Sequence, residues 1–254
     1  MKWDTTYKNL FDVLLAVYFV SWMFFEIMVI GNKFDILMYS EFSGRLVVII
    51  GRLVPTVALY MFMSVWRDVR GPEEFASMVV ECYSKVRVIA VAVIFALVHA
   101  FVCSFAGESK GRTALFLILA IPYAILNSGF AEIAWSGFVF PAIWNRIPFF
   151  FACIFNGFLQ TMFSLPLWTA VGVREELGEF SHCLLYCSFC AIVLGCVFRL
   201  TESVLACVLV RIVLQVAAYY YSDIVFGSPG ITLVFLAEGI LIYIAAMVFG
   251  FGRD

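Results

Sequence analysis

The sequence predicts an all-α integral membrane protein: a polytopic transmembrane helical bundle of about eight spans, forming a single domain over residues 1–254. Composition points there first. Of the 254 residues, 64% are hydrophobic and 13% are charged, against about 25% charged in soluble domains. Phe alone contributes 28 residues, more than a water-facing surface tolerates. Long apolar runs complete the case, because roughly 20 consecutive apolar residues cross a hydrocarbon core. The lipid bilayer is therefore the first expected partner. The net charge of −2 lacks the basic excess of a nucleic-acid binder. No linker, low-complexity tract, second domain or convincing internal repeat interrupts the pattern.

In chain order, the expected spans are Leu10–Ile30, Leu46–Val65, Val86–Phe105, Thr113–Phe130, Pro148–Val171, His182–Phe198, Ser203–Tyr221 and Gly230–Phe251. The first follows Lys2 and Lys8, as a signal peptide would. Its apolar stretch is too long for one, it contains Glu26, and no small-x-small site follows. The fourth meets Pro122, yet its pattern continues through Ala131–Phe140, which predicts either one long kinked helix or a broken one. Within the loop Trp66–Lys85, Phe75, Met78, Val79 and Cys82 recur at helical spacing, with Glu73, Glu74 and Glu81 on other faces. A short interfacial helix and an extension of the third span fit that pattern equally.

Orientation follows from the basic residues of the loops. Lys2, Lys8, Arg67, Arg70, Lys85, Arg87, Arg146, Arg199 and Arg253 fall on the N-terminal side, and Lys33, Arg45, Lys110, Arg112 and Arg174 on the other, nine against five. Both termini are expected in the cytoplasm, with the plasma membrane as the location.

Nearly all eight cysteines fall inside spans. Cys183, Cys187 and Cys190 share a helical face beside His182. A structural zinc site wants four converging ligands, so the set reads as small, apolar interhelical packing, with metal binding as the alternative. His99 and Cys103, one turn apart, read the same way. Charges inside spans say more, because each costs about 2.5–3.5 kcal/mol at a span's centre. Glu26 and Arg52 read as groups near an interface that snorkel, and Glu238 fits the same description. Glu132 and Arg211 lie deeper and are expected to face the bundle interior.

The stretch Gly129-Phe130-Ala131-Glu132-Ile133-Ala134-Trp135-Ser136-Gly137-Phe138 resembles the first signature, E-E-x-x-x-R within E-E-I-G-W-R-G-F, of the CAAX protease and bacteriocin-processing family. That family (CPBP, or ABI) contains intramembrane metal-dependent endopeptidases, among them the type II CAAX prenyl endopeptidases. Ile133, Trp135, Gly137 and Phe138 keep the context and Glu132 keeps the second carboxylate, while Ala131 and Ser136 replace the first carboxylate and the arginine. Phe163-Ser164-Leu165-Pro166-Leu167-Trp168 is similar to the continuation of the second signature, F-x-x-x-H, with Gln160 in place of its phenylalanine and Ser164 in place of its histidine. Leu194-Gly195 and Thr201-Glu202-Ser203 precede the segment similar to the third, H-x-x-x-N, in which Arg211 and Gln215 stand for histidine and asparagine. The family-like core covers about 114–221. The resemblance also implies eight spans and convergence of the signature helices.

The resemblance implies a glutamate and histidines that hold zinc or another divalent ion, or activate water, against an amide. Ala131 and Ser164 can neither ligate a metal nor take a proton near neutral pH. Arg211 brings a permanent positive charge to a ligand position. The expectation is a pseudoenzyme with no catalytic residue set intact and no cofactor. Glu132, Ser136, Ser164, Arg211 and Gln215 would line the family-equivalent polar cavity, with Glu132 and Arg211 ion-paired and Gln215 satisfying leftover donors. Its expected partners are a hydrophobic peptide, a lipidated tail or another membrane protein. The alternatives are an endopeptidase with an altered site resting on Glu132, a Ser164 hydrolase lacking a nearby base, a small transporter or channel, and a purely structural subunit.

Overall fold

A computed structural model describes residues 10–39, 41–66, 68–82, 84–106, 120–170, 179–220 and 229–249. Among these residues the chain is helical and contains no strand. Helices α1 (Leu10–Lys33), α2 (Phe42–Val65), α3 (Pro72–Val80) and α4 (Lys85–Ala106) lead into a long helix α5 over residues 120–144. Helices α6 (Phe149–Phe163), α7 (Phe180–Thr201), α8 (Val204–Tyr220) and α9 (Pro229–Phe249) follow. Among the described residues, four helices are long and apolar enough to cross a membrane: α1, α2, α7 and the Lys85–Cys103 part of α4. Shorter apolar helices occupy Phe149–Phe163, Val204–Tyr219 and Val234–Val248. The expected start of the fourth span, 113–119, and the basic residues Lys2, Lys8, Arg67, Lys110, Arg112, Arg174 and Arg253 lie outside the described residues.

Helix α7 is the centre. Within its most apolar window 72% of residues are buried, against 28% in α1, α2 and α4. It packs against α6, α9, α8 and α4, whereas α1 and α2 pair with each other at the periphery. The outer helices expose Phe11, Phe19, Leu97 and Phe101. Such a girdle is unfavourable in water and suits lipid.

Close approach between helices relies on missing side chains. A Cβ on Gly157 of α6 would lie 2.7 Å from the Ser188 Cα and 2.9 Å from the Cys187 carbonyl oxygen of α7. Both are backbone atoms, so no rotamer change could make room. This is the small-residue packing that brings membrane helices together without a hydrophobic drive between them.

Two local features differ from the sequence expectation. The fifth expected span runs to Val171, but α6 ends at Phe163 and a tight 3-10 turn, Leu165–Thr169, follows. Pro166 explains the change, since its ring fixes φ, removes a donor and disfavours α geometry in the residue before it. The loop helix is separate from the third span: α3 opens with Pro72 at its first position and Glu73 and Glu74 in its first turn, where fixed φ and negative charge both favour a helix start. Phe75 is buried edge-on to Tyr60, with ring centroids 5.5 Å apart.

Of the two readings of residues 120–140, the continuous one holds. Helix α5 passes Pro122 without ending, but two π turns, Ile125–Gly129 and Trp135–Val139, bracket the α turn Phe130–Ala134. Pro141 follows the second π turn. A proline collides with the carbonyl four residues back in a regular α-helix, and the wider turn relieves that clash.

Candidate functional site

Glu132 sits on the α turn between the two π turns, 1% exposed. The middle of α5 packs against α2 on one side and α8 on the other. From α8, Arg211 brings its Nε to 3.9 Å from Glu132 Oε2. The Ser136 hydroxyl donates to Glu132 Oε1. Ser136 stands where the resemblance puts the arginine. It is still a local partner, because residues four apart on a helix face each other and a hydroxyl can donate where a guanidinium would.

The pair balances charge better than it satisfies hydrogen bonds. A separation of 3.9 Å exceeds hydrogen-bond length. Arg211 Nε and Nη1 are buried without hydrogen-bond partners. Gln215 lies half-buried one turn further along α8. No described hydrogen bond joins it to Arg211, so it does not supply the expected relief.

Arg52 requires a correction. It does not snorkel: its Nη1 donates to the Asn127 carbonyl across the α2–α5 contact at 3.4 Å, and its Nε is buried without a partner. Asn127 Nδ2 in turn donates to the Tyr219 hydroxyl at 2.9 Å. The Cys183 and Cys187 sulfurs of α7 are 3.8 Å apart. Arg52 reaches the π turn that precedes Glu132 and Arg211 reaches Glu132 itself, so the two arginines meet neighbouring turns of α5. Glu26, by contrast, lies on the exposed face of α1.

Glu238 also differs from its expected interfacial role. It is buried and meets His99, with Nδ1 at 3.2 and 3.1 Å from its two carboxyl oxygens. His99 Nε2 lies 3.5 Å from Cys103 Sγ. The imidazole is stacked near Phe95 and Phe189, at 5.4 and 6.0 Å, and Phe235 lies 5.5 Å away. Burial of both polar groups explains the contact, since either one left without a partner in this apolar cluster would be far costlier. Sequence reasoning treated the two residues separately because 139 positions divide them. The available signal was depth: His99 lies seven residues before the end of α4 and Glu238 nine after the start of α9, roughly 10–14 Å along each helix.

The three segments of the family resemblance do adjoin. Trp135 of the first lies edge-on to Phe163 of the second, with centroids 5.7 Å apart, and the Glu132–Arg211 contact joins first to third. Ala131 is buried, and Ser164 is half-buried at the end of α6, where its carbonyl accepts from Leu167 N–H in the 3-10 turn. Neither Ser164 nor Gln215 makes a described hydrogen bond or ion pair with Glu132 or Arg211. These residues do not fit a divalent metal: one carboxylate is engaged by a hydroxyl and faced by a guanidinium, and the other positions offer no ligand. Among the described residues, no group of three His, Cys, Asp or Glu side chains is placed to hold a metal ion. No protein-family model matches the chain, and no curated protein matches it significantly.

Proposed function

We propose that this chain is a membrane-embedded binding protein built on a CAAX-protease-like scaffold of eight spans, in which the hydrolytic centre has become a recognition site. The observation that carries this reading is the contact of Arg211 with Glu132 at 3.9 Å, where the resemblance puts the reacting groups. A fixed cation there opposes a divalent metal and cannot act as a base. The occupants it suits are an amphiphile, a lipidated tail or a hydrophobic peptide entering between helices, or a membrane-protein partner. The nine-to-five basic asymmetry supports both termini in the cytoplasm of a plasma-membrane protein.

Two experiments test this. The purified protein should contain well under one equivalent of zinc or other divalent ion, and should not cleave reporter peptides with or without added metal. About one metal per chain, lost in Glu132→Gln and accompanied by chelator-sensitive cleavage, would return the protein to the enzymes. For topology, reporters fused at both termini should give cytoplasmic signals; an external C-terminus would refute the proposed topology, and termini on opposite sides would refute the even span count.

The buried His99–Glu238 pair favours one second reading, a small transporter that carries protons with its substrate. Intramembrane His and Glu commonly mark such paths. Proton-coupled uptake in liposomes, abolished by Glu238→Gln, would establish it over the binding reading.

A further inference from the structure

The interior where α5 packs against α2 and α8 is richer in donors than in acceptors. It contains two guanidinium groups, from Arg52 and Arg211, against the one carboxylate of Glu132. Glu132 directs one oxygen to Ser136 and leaves the other beyond hydrogen-bond reach of Arg211. Three buried guanidinium nitrogens, Arg52 Nε, Arg211 Nε and Arg211 Nη1, have no hydrogen-bond partner. Arg52 makes one long bond to a backbone carbonyl. Buried polar groups are nearly always satisfied in native proteins, and the local charge sum is +1. These donors can bind an acceptor brought by a ligand.

We propose that Arg52 and Arg211 together bind the anionic head of a single-charged amphiphile, a carboxylate or phosphate on a hydrocarbon tail. Guanidinium forks match the paired oxygens of both groups. The route of entry selects an amphiphile over a free ion. The Arg211 side chain keeps 14% of its surface accessible, and Leu126 and Phe130, close before Glu132 on α5, are exposed. An inorganic anion would have to shed its water to cross such a surface. An amphiphile can approach from the bilayer with its tail remaining among apolar side chains. Glu132 then limits the charge of the head, since it leaves room for one negative charge and repels a second.

This inference rests on the binding reading above, but its test is separate. Purified full-length protein in a maltoside detergent is titrated with radiolabelled oleate and, in a second arm, radiolabelled dioleoyl phosphatidylglycerol, a phosphodiester with one charge. Oleyl alcohol and diacylglycerol serve as neutral competitors, with acetate and inorganic phosphate as free anions. One equivalent of oleate or phosphatidylglycerol should be retained, and the arm that binds more tightly identifies the head. Neither the neutral lipids nor the free anions should displace it.

Arg211→Gln and Arg52→Gln should each weaken retention at least tenfold, whereas Arg70→Gln, in the loop before α3, should leave it unchanged. Glu132→Gln should strengthen retention about threefold or more. Opposite effects from neighbouring residues cannot both come from unfolding, and thermal melts of each variant check this directly. Equal displacement by the neutral lipids, no retention at all, or retention indifferent to both arginine variants would each overturn the inference. If retention fails while the protein remains metal-free and inactive towards peptides, only the anionic ligand is refuted. Chelator-sensitive cleavage would instead refute the binding reading itself.

Discussion

Glu132→Leu and Arg211→Leu should each lower the melting temperature of the purified protein sharply, and the double variant should recover most of the loss. Removing one partner of a buried ion pair strands the other and costs roughly 3–5 kcal/mol. Replacing both by apolar residues removes the stranded charge as well. The long Arg211–Glu132 contact, 3.9 Å, puts most of the coupling in charge compensation, since no hydrogen bond joins the two. Glu132→Gln should therefore be almost as harmful as Glu132→Leu, although the amide still reaches Ser136. If the two single losses simply add in the double variant, the residues are uncoupled, and the reading of Glu132 and Arg211 as a charge-compensating pair fails.

The second large effect concerns His99 and Glu238. His99→Phe keeps an aromatic ring beside Phe95, Phe189 and Phe235 but leaves the buried Glu238 carboxyl without its imidazole. It should still cost about 3–5 kcal/mol. Adding Glu238→Leu should restore most of that stability, while Glu238→Gln alone, which can keep a hydrogen bond to the ring, should cost least. Thermal unfolding followed by tryptophan fluorescence in detergent measures all four proteins. A mild effect of His99→Phe would mean that ring packing, not pairing, explains the contact.

What the sequence revealed followed from how far each signal reaches. The extents of α1, α2 and α4 were legible because apolar length alone decides them. The end of α6 was not, because Pro166 acts through the backbone of the preceding residue. Glu132 and Arg211 could be set together through the resemblance, which supplied the proximity of segments far apart in the chain. No such guide existed for His99 and Glu238, and Arg52 was misread because depth along a helix does not specify which way a side chain turns. The hydroxyl of Ser136 was overlooked for another reason: it was judged by the charge it lacks, not by the donor it carries.

The two π turns of α5 also affect how this chain can be compared with others. Each π turn holds one residue more than the α turn it replaces, and one residue corresponds to about 100° of rotation. As a string of letters, residues 120–144 are therefore longer than an unbroken α-helix with the same number of turns. A homologue lacking one of the bulges would align only through a single-residue gap inside an apolar helix. The spacing within Phe130–Ala134 can be carried between such sequences by counting. The spacing from Glu132 back to Asn127 or forward to Pro141 cannot, because an insertion lies on each path.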